Sequence, residues 1–171
     1  GKTLLGLDLV FSKGSLASEI APRALLSGNR PLVKVLGEAI ARDSVHRTGR
    51  KKKDAEREAS QALQHLLGYL KEHLEDNTGP PPENVIVFDE AQRAWDAATG
   101  KKLLDRNASE PEIFLDILGR KDWACLVCLV GPGQEINTGE VGMSLWNDAL
   151  NKSASSRTKW RAIAAPVVEK D

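Results

Sequence analysis

Apolar and polar positions fall into blocks along the chain, and the period changes from block to block. Leu4-Leu5-Gly6-Leu7-Asp8-Leu9-Val10 is an apolar run suited to a buried helix, and it follows directly on Gly1-Lys2-Thr3. Arg23-Ala24-Leu25-Leu26 is a short apolar stretch that runs into Ser27-Gly28-Asn29, which predicts a strand delivering a turn. Pro31 suits the first turn of a helix whose apolar face is Leu32, Val33, Val35, Leu36, Ala39 and Ile40, with its end near Asp43. Ala55, Ala59, Ala62, Leu63, Leu66, Leu67, Leu70 and Leu74 recur at three and four residues and predict one long helix, ended by Asn77 to Pro82.

Asn84-Val85-Ile86-Val87-Phe88 and Trp123 to Val130 are continuous apolar runs, the pattern of strands buried on both faces of a parallel sheet. Between them Ser109, Pro111 and Glu112 spell a capping box at a helix start. A further helix is expected over residues 142 to 151, and Thr158 to Ala164 reads as a short strand. Strands alternating with helices imply a three-layer α/β fold with a parallel sheet. Ligands in such sheets sit at the carboxyl ends of the strands, where the polar loops at Ser27, Asp89 and Gly131 fall.

Composition narrows the class without naming a function. The 171 residues carry 24 Lys plus Arg against 24 Asp plus Glu, which excludes a histone-like or polybasic protein and strong global attraction to nucleic acid. No apolar run approaches the roughly 20 residues of a membrane span, and no secretory signal opens the chain, so a cytoplasmic setting is expected. The chain reads as a single domain over residues 1–171. Its abrupt ends suggest a fragment of a larger protein, incomplete at both ends.

The chemistry concentrates at two places. Gly1-Lys2-Thr3 before a helix is how a phosphate-binding P-loop ends, although three residues also make an ordinary helix start. Asp89-Glu90 closes a buried strand, where two adjacent carboxylates are costly unless a cation or donors meet them. An exposed helix start also tolerates acids. The two features together, with room between them for a βα unit and an extra helix, favour a P-loop ATPase. Lys2 would then reach the β- and γ-phosphates of ATP, the Thr3 hydroxyl and Asp89 would hold Mg²⁺, and Glu90 would orient and deprotonate the attacking water.

Val85-Ile86-Val87-Phe88-Asp89-Glu90-Ala91-Gln92-Arg93-Ala94-Trp95-Asp96, with Leu26 to Val33 before it and Leu129 to Glu140 after it, resembles the helicase-like P-loop ATPases grouped as a domain of unknown function. That group is similar to the helicase part of Schlafen proteins and to superfamily 1 helicases. The resemblance implies a RecA-like P-loop domain that binds ATP with Mg²⁺ and acts on DNA or RNA. It matches Gly1, Lys2 and Thr3 to the end of motif I and Asp89 to Gln92 to motif II, with Gln92 linking the nucleotide to the rest of the protein. Ser27, Gly28 and Asn29 lie where motif Ia touches the nucleic-acid backbone. Gln134 resembles the motif III glutamine that senses the γ-phosphate, with catalytic standing beside Lys2 and Glu90. Its surroundings depart from the common form, because Gly131-Pro132-Gly133-Gln134 lacks an Asp and is one residue short, so coupling to the strand-binding surface is less secure than sensing. Such helicases complete the site with an arginine from a second domain, so the isolated chain is expected to turn over ATP poorly. The rival readings are a nucleotide-dependent switch or defence ATPase that never unwinds a duplex, and a scaffold fragment that binds no nucleotide.

Other candidates are weaker. Cys125 and Cys128 form a C-x-x-C, but positions three apart in a strand face opposite sides and no second pair completes a zinc site, so both are expected as buried small hydrophobes. Asn151-Lys152-Ser153-Ala154 resembles a guanine-reading motif, yet Ala154 cannot bind the guanine edge. The basic stretch from Arg42 to Lys53 is expected to be a solvated loop rather than a phosphate contact. His46, His65 and His73 are expected at the surface, and Trp95 and Trp146 are expected to pack rather than stack on a base.

Overall fold

Four parallel strands form one sheet in the order β2-β1-β3-β4, with β1 at Arg23–Ser27, β2 at Leu63–His65, β3 at Val85–Asp89 and β4 at Cys125–Leu129. A computed structural model describes residues 1–11, 21–74, 79–131, 142–153 and 158–165. The helices among the described residues are α1 (Lys2–Phe11), α2 (Arg30–Thr48), α3 (Lys52–Ala62), α4 (Leu66–His73), α5 (Ala97–Leu104), α6 (Glu110–Leu118) and α7 (Gly142–Ser153), with a 3-10 turn at Ala91–Arg93. The three-layer parallel arrangement expected from the strand and helix alternation is the one the chain adopts.

Strand alternation sorts the core into two faces. Leu25, Val87 and Leu129 point to one side, where Leu7 and Val10 of α1 and Val33, Leu36 and Ile40 of α2 cover them. Ala24, Leu26, Ile86 and Phe88 point to the other, against Leu66, Tyr69 and Leu70 of α4, Phe114 and Ile117 of α6, and Trp146 of α7. At α1 the fit is close: a Cβ on Gly6 would lie 2.6 Å from Leu25 Cδ1 and 3.0 Å from Leu129 Cδ1.

The expected long helix over Ala55 to Leu74 is two helices with a strand between them. Leu63, Gln64 and His65 pair in parallel with Leu25, Leu26 and Ser27. The two apolar stripes belong to different layers. Ala55 and Ala59 of α3 bury against Ala41 of α2, whereas Leu66 and Leu70 of α4 bury on the opposite face of the sheet. A straight helix cannot serve both, so the chain crosses the sheet edge through β2. Helical spacing is preserved on both sides of the crossing, which is why sequence periodicity conceals it.

Other boundaries also move. α2 passes Asp43 and ends only where Gly49 takes a left-handed φ of 67°. The basic stretch is therefore two helix ends joined by a three-residue turn, not a loop. Its cations face acids: Arg42 with Glu38, Arg47 with Asp43, Arg50 with Glu58, and Lys52 with Glu56. α1 is not buried as expected, because it rests on one face of the sheet and leaves Leu4 68% exposed. β4 is not buried on both faces either, since β3 is its one partner among the described residues and Cys125 is exposed. Cys128 does face the core, and burial, with Glu110 second, pushes its thiol up to about 12. His73 is buried against Tyr69 rather than exposed. Residues 158–165 form no strand; Thr158 donates its hydroxyl to the Gly119 carbonyl at 2.9 Å, and Trp160 packs on the core instead of joining a ladder.

The capping box forms as expected, with Glu112 accepting from the Ser109 amide at 2.7 Å and the Ser109 hydroxyl at 2.9 Å. Helix α5 was not anticipated, although Asp96, which accepts from the Thr99 amide at 2.9 Å, is its signal in the sequence.

Two consequences concern stability. Phe114 has no exposed surface and stands 5.2 Å from Phe88 and 6.3 Å from Trp146 between ring centroids. Phe114→Ala is expected to cost about 3–5 kcal/mol, read as a lower midpoint in urea unfolding. Glu110 is 1% exposed, and one of its carboxylate oxygens has no partner among the described residues. Burial raises its pKa from 4.5 to about 8, against the lowering effect of hydrogen bonds from Trp95. The native state therefore holds this proton more tightly than the unfolded chain, and stability falls as pH rises from about 4.5 to 8. Glu110→Gln should flatten that fall and raise Tm at pH 8 to 9, a difference that thermal unfolding across pH measures.

Candidate functional site

The order of strands reverses direction between β1 and β3. From β1 the chain leaves through α2 and α3 on one face to reach β2, and from β3 it leaves through α6 on the other face to reach β4. Carboxyl-end loops on either side of such a reversal part from each other and leave a crevice. Ser27 and Asp89 end the two strands, each 2% exposed.

Helix α1 brings its N-terminus to the end of β3. The Thr3 hydroxyl donates to Asp89 Oδ2 at 2.9 Å across 86 positions of sequence. The second oxygen, Oδ1, is buried without a partner among the described residues. Lys2 Nζ stands 3.9 Å from Glu90 Oε1, a weak ion pair between half-buried groups. The lysine runs across the end of β4, where a Cβ at position 131 would collide with its ammonium, so a glycine there keeps the path open. Gly1 occupies the helix start, and its carbonyl accepts from the Leu5 amide at 3.2 Å. The free amides of that first turn favour an anion.

Glu90 adopts a left-handed φ of 61°, a conformation that costs a non-glycine residue about 1 kcal/mol and concentrates at functional sites. The 3-10 turn follows at once. Within it Gln92 donates Nε2 to Glu90 Oε2 at 2.5 Å, and Arg93 Nε lies 3.9 Å from the same oxygen. Gln92 is buried, and its own Oε1 has no partner among the described residues.

The donors at this point suit a hard, oxygen-seeking cation that keeps most of its water. A hydroxyl and one carboxylate are enough for Mg²⁺, and the unpartnered Asp89 Oδ1 is the buried charge such an ion would neutralise. No group of three His, Cys, Asp or Glu side chains converges among the described residues, which argues against an all-protein cage.

The structure thus brings Gly1, Lys2, Thr3, Asp89, Glu90 and Gln92 together. Ser27, Gly28 and Asn29 sit on the neighbouring strand end. There Ser27 Oγ accepts from the Asn29 amide at 3.2 Å, and Asn29 Oδ1 caps α2 by accepting from the Leu32 amide at 3.1 Å. Gly28 is exposed with open space beside it. Gln134 lies outside the described residues. Trp146 and Trp95 pack on the core, as expected. His65 is a neighbour the sequence did not announce, because it ends the unanticipated β2. It accepts from Arg30 Nε at 3.3 Å, and partial burial, then Arg30, hold its pKa below the usual histidine value.

Among known proteins, the family model for the Schlafen group 3 DNA/RNA helicase domain matches residues 1–162. No curated protein sequence matches the chain. A solved structure, the helicase domain of Hef from Pyrococcus furiosus, is similar at 14% identity with a TM-score of 0.44, over 98% of this chain and 33% of that one. The chain spans about a third of that protein's length. No described helix is long and apolar enough to cross a membrane. With nearly its whole length matched, the chain belongs to the Schlafen group 3 DNA/RNA helicase domain family.

Proposed function

We propose that the chain is the ATP-binding, Mg²⁺-dependent, ATP-hydrolysing core of a helicase or nucleic-acid translocase, one RecA-like lobe of a larger protein. The observation that carries this reading is the convergence of Thr3 on Asp89 and of Lys2 on Glu90, two pairs assembled from the opposite ends of α1 and β3. Family membership supports it independently.

Each residue has a role consistent with its surroundings. Lys2 leaves its contact with Glu90 to neutralise the β- and γ-phosphates, while the helix amides after Gly1 cradle them. Thr3 and Asp89 would hold the ion, and bound Mg²⁺ supplies charge neutralisation across the phosphate oxygens. Glu90, freed from the lysine, orients the attacking water and accepts its proton on a carboxylate oxygen. Gln92, bonded to Glu90, carries the state of the site toward the rest of the protein. Gln134 is proposed as the γ-phosphate sensor, and Ser27, Gly28 and Asn29 as contacts to a DNA or RNA backbone.

ATP turnover by the full-length protein tests the hydrolysis. Lys2→Ala and Glu90→Gln should each lower kcat about 100-fold or more, and unchanged rates would sink the assignment. A second measurement separates translocase from switch. Single-stranded nucleic acid should stimulate turnover, and Ser27→Ala with Asn29→Ala should weaken that stimulation about tenfold in apparent affinity. Stimulation that is absent in the unaltered protein would instead favour a nucleotide-dependent ATPase that never unwinds.

A further inference from the structure

The turn that carries Glu90 has little to hold it by itself. It is a three-residue 3-10 helix closed by Arg93 N to Glu90 O at 2.9 Å and Ala94 N to Ala91 O at 3.3 Å. A single turn of this kind is a weak element. The residue before it is in the left-handed region, so relaxation of the turn would re-aim the Glu90 carboxylate.

Helix α7 presses on this turn at two points. The Trp146 indole N–H donates to the Ala91 carbonyl at 3.0 Å, a buried bond between residues 55 apart. One helical turn earlier, Gly142 lies against the Gln92 carbonyl so closely that a Cβ there would overlap the oxygen. The indole has no freedom to swing away. Its ring stands 6.1 Å from Phe88 and 6.3 Å from Phe114, and the residue is 7% exposed. A buried indole N–H requires an acceptor. Of the carbonyls about it, this one uses the turn between Glu90 and Gln92, and that carbonyl already accepts from Ala94.

We propose that Trp146 and Gly142 are positioning residues for Glu90: α7 braces the 3-10 turn from behind, fixing the left-handed backbone that aims the carboxylate at its water. This rests on the ATP-hydrolysis reading. The phosphates and the ion are the work of Gly1, Lys2, Thr3 and Asp89, none of which touches α7 through a described contact, whereas Gln92, which α7 does touch, is bonded to Glu90. Loosening the brace therefore affects the chemical step and leaves binding alone.

Three measurements on the full-length protein test the brace. Trp146→Phe keeps a ring beside Phe88 and Phe114 but removes the donor, and Gly142→Ala pushes on the Gln92 carbonyl. In each, kcat should fall about tenfold or more with KM for ATP within twofold of the unaltered value, because a small misplacement of a reacting group costs rate rather than affinity. Ile117→Val, a cavity in the same core that removes neither the indole donor nor the space at Gly142, should lower Tm and leave kcat unchanged. In the unaltered protein without nucleotide, the Trp146 indole proton and the Arg93 and Ala94 amides should exchange with solvent at one common rate, since one opening exposes them all. In Trp146→Phe those amides should exchange about tenfold faster.

A kcat within twofold of normal in a folded variant overturns the proposal. So does a fall in kcat that Ile117→Val reproduces at equal Tm, or an indole proton that exchanges freely while the turn amides stay protected. The exchange measurement decides the matter if neither variant folds. Glu90→Gln serves as the control: if it leaves turnover intact, the hydrolysis reading has failed, and the exchange rates alone judge whether α7 braces the turn.

Discussion

A buried carboxylate at the end of a strand is the constraint around which this molecule is arranged. Asp89 is almost completely withdrawn from water, and an unpartnered charge in that position costs several kcal/mol. One of its oxygens is met by the Thr3 hydroxyl and the other by nothing among the described residues. For the first contact to exist, α1 must lie flat against the sheet with its N-terminus at the carboxyl ends. The absence of a side chain at Gly6 allows this, since a Cβ there would crowd the Leu25 and Leu129 side chains beneath it. The absence of a side chain at Gly131 then gives Lys2 its route to Glu90. The unmet oxygen is the part of the arrangement that the described residues do not explain.

Placing that carboxylate inside requires a sheet covered on both faces, and the chain covers them by reversing direction. Helices α1, α2 and α3 follow one face, and α4, α6 and α7 the other, so β1 and β3 become neighbours whose loops diverge. The three-residue strand β2 makes the reversal possible, because it carries the chain from one face to the other at the sheet edge. It contributes few hydrogen bonds, yet it decides that Leu66 and Leu70 join the core beneath Phe88 and Phe114 rather than the alanine seam of α2 and α3. That core holds Trp146, which reaches back to the motif carrying Glu90. The crevice and its rear wall thus follow from one crossover.

Much of this was legible in the residues. The strands at Ala24 to Ser27 and Val85 to Asp89 announced themselves through apolar runs ending in polar turns, and Ser109 to Glu112 marked a helix start that formed as written. Lys2, Thr3, Asp89 and Glu90 stood out only in combination, because each pair alone has an ordinary use at a helix start. Less legible were the positions whose surroundings come from distant sequence. Periodicity could not separate α3 from α4, because both keep the same spacing while facing different layers. Apolar content could not tell that α1 covers one face of the sheet with its outer side in water, or that β4 lies at its edge, since an exposed Leu4 and a buried Leu25 are chemically alike. Thr158 to Ala164 had the look of a strand, but Trp160 found the core by another route.

The sequence by itself determined the class of fold, the polar loops at strand ends, the helix caps and the residue types able to meet phosphate, a cation and water. These are local properties, set by period, by turn chemistry and by which side chains carry charge. Tertiary structure alone decided that Thr3 meets Asp89, that β2 exists, that Glu90 sits in a left-handed conformation, and that α7 stands behind it. Those outcomes depend on contacts between residues tens of positions apart, whose energies appear only when the sheet has formed and each face has chosen what covers it.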